Sequence, residues 1–582
     1  MTNKKVMFKP KSPKIEAVVN EHGKNPSNIL EILVDLQTNH GGLNPETLDD
    51  LARSLGLPPA QVYGIASFYS MLDISQTSHA STMPKVRVCD GPVCWLCGVN
   101  FESATKAIRE THAEWQVERS SCLGLCDRAP AILIDNDQIG PVTAEEINPS
   151  VIGVPSKPVN YEIPRSGEVR VMLENAGKID PSSLESALLV GAYQGLEAAL
   201  KLSSEKVIEE IERSNLKGRG GAGFPVGKKW RFVAEASLSP KFIVCNADES
   251  EPLIFKDRVL IDTNPHQILE GMAISGYATG ARTGYIYIRG EYSNQAKLLE
   301  NAVEQAEKAG WLGENIAGSG FSFFVHVHRG AGAYICGEET ALLESLEGKR
   351  GEPRIRPPYP PTSGYQNLPT AVNNVESLAA VPSILRRGAE WYKNLSNNPA
   401  GGTKLYMLLG HINQPGLFEA PFGLTLRQII EEFGGGMRSG SSFHFALCGG
   451  AAGTIVDSTL LDIPIDYNSG GKGISLGAGA FLVCDEHVSP VALLRELMHF
   501  FKVESCGKCT PCREGTSRAH DLLIRLADGH GQKTDIQELL NLAEVMQEAS
   551  FCGLGQSVQL PVKSALAHFS DRFVAGINEE LM

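Results

Sequence analysis

The spacing of the cysteines constrains this chain more than any other feature of its sequence. Cys506, Cys509 and Cys512 are separated by two residues each, and Cys552 lies further along the chain. Two successive two-residue gaps let one turn of chain hold three corners of a cubic 4Fe-4S cluster, while the fourth corner must come from a distant residue. A zinc site would favour paired ligands with a longer separation between the pairs. The pattern therefore predicts a 4Fe-4S centre on these four thiols.

A second group of five cysteines lies nearer the N-terminus. Since a 2Fe-2S cluster takes four thiolates, two ligand sets compete. The favoured set is the pattern of thioredoxin-like 2Fe-2S proteins and consists of Cys89, Cys94, Cys122 and Cys126. The other set imitates a plant-type ferredoxin and begins with Cys89, Cys94 and Cys97. We therefore interpret Cys97 as a buried free thiol, with structural zinc or a disulfide pair as the alternatives to a cluster.

Composition and charge exclude several classes of function. The chain has 582 residues, of which 42% are hydrophobic and 21% charged, and its formal charge is -14. A net negative charge works against binding to a polyphosphate backbone, so nucleic acid is disfavoured as a partner. No window approaches the roughly 18 consecutive apolar residues that a membrane span needs, and the basic start leads into no apolar run. We expect a cytoplasmic protein without direct membrane insertion.

The pattern of apolar residues changes along the chain and divides it into several units. Helical periodicity comes first, then short apolar runs, then a proline-punctuated stretch that is typical of a linker. Strands that alternate with helices follow and predict a mostly parallel sheet. The predicted units are a helical bundle (15–80), a compact α/β unit (84–142), a linker (143–163), an α/β domain (164–400), a small β domain (401–488) and a helical domain (489–578).

A glycine-rich stretch at 217–230 has G-x-G-x-x-G spacing from Gly218 to Gly223. No buried strand immediately precedes it, so it is not a Rossmann fingerprint. Its glycines nevertheless offer exposed N–H groups beside Arg219 and Lys229, which suits a ligand that carries phosphate. The alternative is a flexible surface loop.

Carboxylates gather where two predicted strands end, within 245–251 and 328–340. Five carboxylates at such positions are too many for a packed core, and the sequence does not resemble a loop for a hard cation. A polyol such as ribityl or ribose can hydrogen-bond to the same oxygens. The sequence therefore predicts a polyhydroxylated nucleotide, held near Asp248, Glu249, Glu251, Glu338 and Glu339.

Together these motifs resemble the NADH-binding flavoprotein subunit of respiratory complex I and its soluble relatives. Residues 175–578 resemble that flavoprotein, and residues 15–140 resemble the separate 2Fe-2S subunit, so the two are fused here. The fusion is most similar to the diaphorase flavoprotein subunits of soluble NAD-reducing nickel-iron hydrogenases. The resemblance implies a multidomain α/β fold: an N-terminal helical bundle with a thioredoxin-like 2Fe-2S domain, an atypical Rossmann-like FMN and NADH domain, a small ubiquitin-like β-grasp domain, and a C-terminal helical bundle that holds the 4Fe-4S cluster.

The resemblance also implies which residues bind FMN and NAD(H). The FMN set is Gly218, Arg219, Gly220, Gly221, Lys229, Asn246, Asp248 and Glu249, completed by Tyr334, Gly337, Glu338, Asn373 and Asn374. NADH would stack over the flavin, with Phe224 and Phe232 at the adenine side and Glu251 and Glu339 near the dinucleotide. Carboxylates near the adenosine ribose should repel a 2′-phosphate, so we expect NAD to be preferred over NADP.

The chain departs from the usual pattern of this family in three places, one of them a pair of residues. Leu253 and Ile254 stand where Gly and Thr are usual, Arg356 where Lys is typical, and Tyr359 where Phe is typical. We count Arg356 and Tyr359 among the cofactor-binding residues. Arginine keeps the charge of lysine but presents a planar fork, which could alter nucleotide affinity without changing the reaction.

The function that the resemblance implies is electron transfer through cofactors. The chain would exchange a hydride between NAD(H) and FMN and pass single electrons between FMN and its clusters, with no side chain acting as acid or base. The 4Fe-4S cluster would exchange electrons with FMN, and the 2Fe-2S cluster would be a branch or storage site. The implied partners are an iron-sulfur electron-transfer subunit and a nickel-iron hydrogenase small and large subunit pair.

Two enzyme alternatives share this site, namely the flavoprotein subunit of an NAD-dependent formate dehydrogenase and a fused complex I NADH dehydrogenase module. An iron-sulfur scaffold without catalysis of its own is a hypothesis of a different class.

Overall fold

The computed structural model describes residues 12–40, 42–74, 84–99, 101–142, 146 and 161–577. Most of the predicted linker at 143–163 lies outside the described residues. Within the described ranges, no helix is both long and apolar enough to cross a lipid bilayer.

The first unit is built from short helices that bury one apolar face. Leu48 and Leu51 are buried on the third helix, which begins where the Asn44 side chain accepts a hydrogen bond from the N–H of Thr47 and ends at Gly56, whose φ of 69° suits glycine. The helices are α1 (Pro13–Glu21), α2 (Ile29–Asn39), α3 (Pro45–Leu55) and α4 (Pro59–Ala66).

The second unit is a four-stranded sheet with strand order β2-β1-β3-β4. Strands β1 and β2 are parallel, whereas β3 pairs antiparallel with both β1 and β4. Because β1 and β2 run the same way, the cysteine-bearing segments that follow them meet at one edge of the sheet. Its elements are β1 (Lys85–Cys89), α5 (Pro92–Leu96), α6 (Phe101–Thr111), β2 (Gln116–Ser120), β3 (Ile132–Ile134) and β4 (Asp137–Ile139).

The third unit contains a parallel sheet with strand order β7-β6-β5-β8. The chain moves outward in one direction from β5 to β7 and then places β8 on the other side of β5, so the carboxyl ends of β5 and β8 flank a topological switch point. Its elements are α7 (Leu184–Leu189), α8 (Gln194–Leu200), α9 (Ser204–Arg213), α10 (Val226–Glu235), β5 (Phe242–Ala247), α11 (Lys256–Thr263), α12 (Pro265–Thr279), β6 (Thr283–Ile288), α13 (Ser293–Lys308), β7 (Phe324–Arg329), α14 (Glu339–Leu346), α15 (Pro360–Ser363), β8 (Thr370–Asn374), α16 (Val375–Arg387) and α17 (Ala389–Lys393).

A small mixed sheet and a helical unit complete the described chain. The sheet has strand order β10-β9-β13-β11-β12, with β9 and β13 parallel and the other pairs antiparallel. The helical unit packs its first helix against the second and its third against the last. The elements are β9 (Thr403–Gly410), β10 (Gly416–Pro421), α18 (Leu426–Gln428), β11 (Phe443–Cys448), β12 (Thr454–Val456), β13 (Ala480–Asp485), α19 (Pro490–Glu504), α20 (Thr510–Ala527), α21 (Lys533–Ala549), α22 (Gly553–Ser557) and α23 (Gln559–Val574).

Candidate functional site

A cleft opens at the carboxyl ends of β5 and β8, where the strand order changes direction. Its volume is about 820 Å³, counting the part open to solvent. The position agrees with the rule that open α/β sheets bind ligands at a topological switch point. The cleft gathers nine of the residues that the resemblance implies for the cofactors: Gly220, Asn246, Asp248, Glu249, Glu251, Tyr334, Gly337, Glu338 and Asn374.

Two glycines let the main chain come close to the floor of this cleft. A Cβ on Gly220 would lie 3.5 Å from the Cβ of Asn374, and a Cβ on Gly337 would lie 3.2 Å from the main-chain oxygen of Asp248. The glycine-rich loop closes on itself, because the N–H of Gly218 donates to the oxygen of Phe224 at 2.8 Å. Gly220 lines the cleft, so at this point the loop presents backbone rather than a side chain, as a close ligand requires.

Three buried polar atoms of the site have no hydrogen-bond partner within the described residues. They are Oδ2 of Asp248, Nδ2 of Asn373 and Oε1 of Glu338, the last of which lies 3.5 Å from Nη1 of Arg356 in an ion pair. A buried polar atom left unpaired costs about 1–3 kcal/mol, which a ligand can offset by completing the hydrogen bond. Two acceptors and one donor suit a ligand with hydroxyl groups and a polar ring, so the residues fit FMN.

Burial makes three carboxyl groups of the cleft weaker acids than usual. It raises the pKa of Glu249 and of Glu251 to about 7, and it raises the pKa of Asp248 well above its ordinary value. A protonated carboxyl group can donate a hydrogen bond as well as accept one. These groups can therefore pair with either kind of ligand atom near neutral pH.

The two glutamates are also used within the protein. Glu249 accepts hydrogen bonds from the N–H groups of Asp257 at 2.8 Å and Arg258 at 3.0 Å, at the start of α11. Glu251 accepts from the N–H of Ala452 at 3.1 Å, in the loop between β11 and β12. The cleft is therefore joined on one side to a helix and on the other to the small β domain.

A buried charge network under the cleft was not predicted from the sequence. Nζ of Lys256 lies 2.6 Å from Oδ1 of Asp257 and 3.2 Å from Oε2 of Glu376, and Nζ of Lys404 lies 2.5 Å from the same Glu376 oxygen. Both lysines and Glu376 are at most 1% exposed. Lys256 and Asp257 line the cleft. The one feature of the sequence that pointed to this network is that Lys256 and Asp257 come just after the acidic stretch at 245–251.

Arg219 does not line the cleft, although the resemblance implies an FMN contact there. Its side chain is fully buried, its Nη2 donates to the hydroxyl of Tyr392 at 2.8 Å, and its guanidinium lies 4.5 Å from the ring centre of Phe422. From the glycine-rich motif, this cation was predicted to contact a phosphate group. In the structure the guanidinium instead anchors the glycine-rich loop to the small β domain.

Cations and carboxylates alternate beside the cleft. Glu339 accepts from Nζ of Lys229 at 3.3 Å, and its other oxygen lies 3.5 Å from Nη1 of Arg356. Arg356 lies equally close to Glu338. Nη1 of the arginine that replaces the usual lysine thus lies between two carboxylates.

Three aromatic side chains near this face remain open to solvent. Phe224 is 45% exposed, Phe232 48% and Tyr359 56%. Flat, exposed rings suit the stacking of a base. They are the same residues that the resemblance implies for the dinucleotide.

Leu253, which replaces the usual glycine, adopts a glycine-like conformation. Its φ is 77°, and its side chain is fully buried. A leucine in the left-handed region is strained by about 1–2 kcal/mol, so surrounding contacts must hold it there.

The four cysteines of the C-terminal unit line one cavity of about 270 Å³. The four side chains surround this cavity and do not converge on a single atom position. Across the described ranges, no group of three or more His, Cys, Asp or Glu side chains could hold a single metal ion. Burial raises the pKa of the Cys552 thiol to about 12, so a metal must displace the proton of this thiol to bind it. The donor set fits a 4Fe-4S cluster on Cys506, Cys509, Cys512 and Cys552.

Ile335 and Leu554 line both this cavity and the cleft. Ile335 follows Tyr334 after β7, and Leu554 follows Cys552 at the start of α22. One layer of side chains therefore separates the two sites.

The cysteines of the N-terminal group that were assigned to a 2Fe-2S cluster are all buried. Cys89, Cys94, Cys122 and Cys126 are at most 5% exposed. The sulfurs of Cys122 and Cys126 lie 3.7 Å apart, and the N–H of Gly124 donates to the Cys122 sulfur at 3.4 Å. All four are free thiols. The arrangement fits a 2Fe-2S cluster, whose sulfurs accept main-chain N–H bonds.

Cys97 is exposed, so the prediction of a buried thiol was wrong. It directly follows α5, and its main chain closes the end of that short helix on the surface. The other cysteines outside the two groups, Cys245, Cys336, Cys448 and Cys484, are buried as expected of small apolar side chains.

Models of four protein families match successive parts of the chain. They are described as "Thioredoxin-like [2Fe-2S] ferredoxin" at residues 15–152, "Nuo51 FMN-binding domain" at 211–383, "SLBB domain" at 405–450 and "NADH-ubiquinone oxidoreductase-F iron-sulfur binding region" at 492–576. Fold and site together define a multidomain oxidoreductase that binds FMN, NAD(H), one 2Fe-2S and one 4Fe-4S cluster. The predicted fold class and cofactors are confirmed.

Curated relatives and solved structures identify the family. The chain is 44% identical to the F 2 subunit of NADH-quinone oxidoreductase of Rhizobium meliloti over 411 residues, which are 70% of this chain and 98% of the relative. It is 41% identical to the HndC subunit of the NADP-reducing hydrogenase of Solidesulfovibrio fructosivorans, over 71% of this chain and 84% of the relative. The chain belongs to the family of NADH-quinone oxidoreductase F subunits.

A solved structure resembles the whole fused arrangement. A chain of an NAD⁺-reducing [NiFe]-hydrogenase in the air-oxidized state superposes with a TM-score of 0.82 and 30% identity, over 96% of this chain and 95% of that chain. The H₂-reduced state of an NAD⁺-reducing [NiFe]-hydrogenase gives a TM-score of 0.81 and 31% identity, over 96% of this chain and 94% of that chain. The resemblance to diaphorase flavoprotein subunits is therefore confirmed.

Proposed function

We propose that this chain is the diaphorase subunit of an NAD-reducing hydrogenase. It exchanges a hydride between NAD(H) and FMN in the cleft and carries single electrons onward through its iron-sulfur clusters. Bound FMN supplies the conversion between the two-electron and one-electron chemistry. The single observation that carries the proposal is the wall of Ile335 and Leu554, which the cleft and the 4Fe-4S cavity share.

The residues of the chain have binding and positioning roles in this proposal. Gly220 and Gly337 bring main-chain groups close to the flavin. Asp248, Glu338 and Asn373 form hydrogen bonds to it. The aromatic rings of Phe224, Phe232 and Tyr359 hold the dinucleotide from the solvent side, beside Glu339 and Arg356. No proton transfer by a side chain is required, because the hydride passes directly between cofactors.

The test follows the optical and magnetic signals of the two cofactors in one sample. Under anaerobic conditions NADH is expected to bleach the flavin absorbance and to produce the 4Fe-4S signal in electron paramagnetic resonance. The Leu554→Trp variant thickens the shared wall and should slow the appearance of the cluster signal while the flavin still bleaches. Leu560→Trp, at a partly exposed position of α23, serves as the control. A flavin that bleaches without any cluster reduction in the unaltered protein would defeat the proposal.

Hydrogen as the other substrate is supported by the extent of the matches. The Rhizobium relative aligns with only 70% of this chain, whereas the hydrogenase chain covers 96%, including the N-terminal 2Fe-2S unit. We therefore infer that an iron-sulfur electron-transfer subunit and a nickel-iron subunit pair are the partners. Partner subunits in general are expected, since these relatives are subunits of larger oxidoreductases.

Isolation from native cells under mild anaerobic conditions, followed by mass spectrometry, tests the partners. A nickel-iron subunit pair in the complex, together with hydrogen-dependent NAD reduction, is the expected result. A molybdenum or tungsten formate subunit, or complex I core subunits, would transfer the same diaphorase chemistry to another substrate. A chain that takes up iron but neither FMN nor NADH would be a scaffold instead.

A further inference from the structure

A buried arginine connects the cleft to the 2Fe-2S loop. Arg289 follows β6 and is 2% exposed. Its Nη1 donates to the main-chain oxygen of Glu249 at 2.7 Å, and its Nη2 donates to the main-chain oxygen of Cys122 at 2.5 Å. Glu249 lines the cleft, and Cys122 is an assigned cluster ligand. One guanidinium therefore contacts both cofactor sites.

The orientation of this guanidinium is held by a two-point ion pair. Nε and Nη2 of Arg289 donate to the two carboxylate oxygens of Glu291, at 3.0 and 2.7 Å. Glu291 is 6% exposed, so the pair lies away from solvent. Of the two charges, the cation is the one that bonds to the Cys122 main chain.

Two further contacts join the same loop to the flavin-binding unit. Nε of Arg258, on α11, donates to the oxygen of Gly124 at 3.2 Å, and the hydroxyl of Tyr292 donates to the same oxygen at 3.4 Å. Arg258 bonds to a residue between the two ligands, whereas Arg289 bonds to a ligand itself. Arg289 is thus the cation of the flavin-binding unit that acts most directly on the cluster.

We propose that Arg289 is a positioning residue that raises the reduction potential of the 2Fe-2S cluster and holds its loop at a set distance from the flavin cleft. Reduction adds one negative charge to the cluster, and a nearby cation stabilises that charge. Water and salt screen the interaction little, because the pair is buried. The inference rests on the proposed function only for the ligand assignment of Cys122.

Redox titration of the full chain, monitored by electron paramagnetic resonance, tests the proposal with two variants of opposite sign. Arg289→Gln removes the cation and is expected to lower the reduction potential of the 2Fe-2S cluster by at least about 59 mV. This shift corresponds to a tenfold change in the one-electron equilibrium constant. Glu291→Gln removes the anion and is expected to raise the same potential. The 4Fe-4S potential should stay unchanged in both variants. Mere loosening of the loop would not shift the two variants in opposite directions.

Arg170 offers a matched control. It is also paired with a glutamate two residues away, Glu168, and it also donates to main-chain oxygens, including that of Tyr161 at 2.9 Å. It contacts no cluster ligand in the described structure, so Arg170→Gln should leave both potentials as they are.

The remaining outcomes are decided by a charge-conserving variant. If Arg289→Gln fails to hold its cluster, Arg289→Lys should retain the cluster and most of its potential, whereas a Lys variant with the potential shifted fully downward would overturn the charge argument. Shifts of the same sign in Arg289→Gln and Glu291→Gln, or none in either, would overturn it as well. NADH bleaching of the flavin in the same samples reports separately on the proposed function.

Discussion

Substitution of single cysteines can show which thiols of this chain are cluster ligands. Cys552→Ala removes one of four thiols around the C-terminal cavity, so we expect the 4Fe-4S signal in electron paramagnetic resonance to disappear while the 2Fe-2S signal stays. Cys97→Ser changes an exposed thiol and should leave both signals intact. If both signals persist in Cys552→Ala, or if Cys97→Ser abolishes the 2Fe-2S signal, the ligand assignment is wrong.

Glu339 carries a prediction about nucleotide choice. Its carboxylate lies between the cations of Lys229 and Arg356. Glu339→Gln removes one negative charge beside both cations, which favours a 2′-phosphate. We expect the ratio of kcat/KM for NADPH to that for NADH to rise about tenfold, equivalent to roughly 1.4 kcal/mol.

The matched control for this change is Glu352→Gln. Glu352 pairs with Arg350 away from the cleft, so this variant should leave the NADPH to NADH ratio unchanged. Nucleotide choice differs among the relatives, since the Solidesulfovibrio protein is named as NADP-reducing. Equal turnover of NADPH and NADH in the unaltered protein would refute the expected NAD preference.

Glu270 makes the stability of the fold depend on pH. It lies on α12, is 3% exposed, and accepts a hydrogen bond from the N–H of Leu196 at 3.0 Å. Burial raises its pKa from 4.5 to about 7. Because the folded state holds this proton more tightly than the unfolded state does, the free energy of unfolding falls as pH rises from about 4.5 to about 7 and then levels off. The size of the effect is about 3 kcal/mol.

Glu270→Gln should remove this part of the pH dependence. The melting temperature of the unaltered protein is expected to drop more between pH 5 and pH 8 than that of the variant. Glu197→Gln, at an exposed position of α8, should behave like the unaltered protein. Parallel pH profiles for Glu270→Gln and the unaltered protein would contradict the assigned shift.

At the scale of elements, the glycine-rich loop depends on one glycine at its end. Gly223 has a φ of 68°, and a Cβ there would lie 2.6 Å from Cδ1 of Tyr467. The Tyr467 hydroxyl donates to the oxygen of Gly218 at 3.0 Å, so the ring holds both ends of the loop. Gly223→Ala therefore combines backbone strain with a clash and should displace the loop from the cleft.

We expect FMN to dissociate about tenfold more readily from Gly223→Ala, measured by the flavin that remains after gel filtration. Gly470→Ala is the control, because a Cβ at Gly470 meets nothing within 4 Å. Equal FMN retention in the two variants would show that the loop does not hold the cofactor.

The strands and the cysteine groups could be predicted because their signals are local. The sequence predicts strands that end within 245–251 and 328–340, and β5 and β7 end there. Strand β8 went unnoticed, since its five residues end in the polar pair Asn373 and Asn374. The individual cofactor contacts and the domain bounds stay predictions.

The charge network under the cleft was beyond the reach of sequence reasoning. Lys256 comes from α11, Glu376 from α16 and Lys404 from β9, so these charges meet only in the folded chain. For the same reason nothing in the sequence indicated that Arg219 turns toward Phe422. Local spacing predicts ligands that lie close in the chain, whereas buried ion pairs depend on how distant elements pack.

At the scale of the whole molecule, one carboxylate joins three parts of the site. Glu504, at the end of α19, accepts from the hydroxyl of Ser121 and from the N–H of Tyr334, the latter at 2.9 Å. Ser121 precedes a 2Fe-2S ligand, Tyr334 lines the cleft, and Glu504 itself lies just before Cys506. The loops of both clusters and the flavin cleft are therefore held in one frame.

The fused 2Fe-2S unit is fastened to the rest of the chain by a buried ion pair. Oδ1 of Asp127 lies 2.5 Å from Nη2 of Arg258, and neither side chain is more than 1% exposed. Removing one partner of a buried pair leaves an uncompensated charge and typically costs about 3–5 kcal/mol. We expect the lower end of that range for Asp127→Asn, because Asp262 still lies 3.3 Å from Nη1 of Arg258.

In the unaltered protein we expect heating to abolish the 2Fe-2S signal and release the flavin at the same temperature, and Asp127→Asn should separate these two events. On heating, the 2Fe-2S signal of the variant is expected to vanish at a lower temperature than that at which the flavin is released. Asp262→Asn is the matched control: this carboxylate binds the same arginine, but its side chain is 33% exposed and belongs to the flavin-binding unit itself. If both variants lose the two cofactors together, the ion pair is not what couples the 2Fe-2S unit to the flavin site.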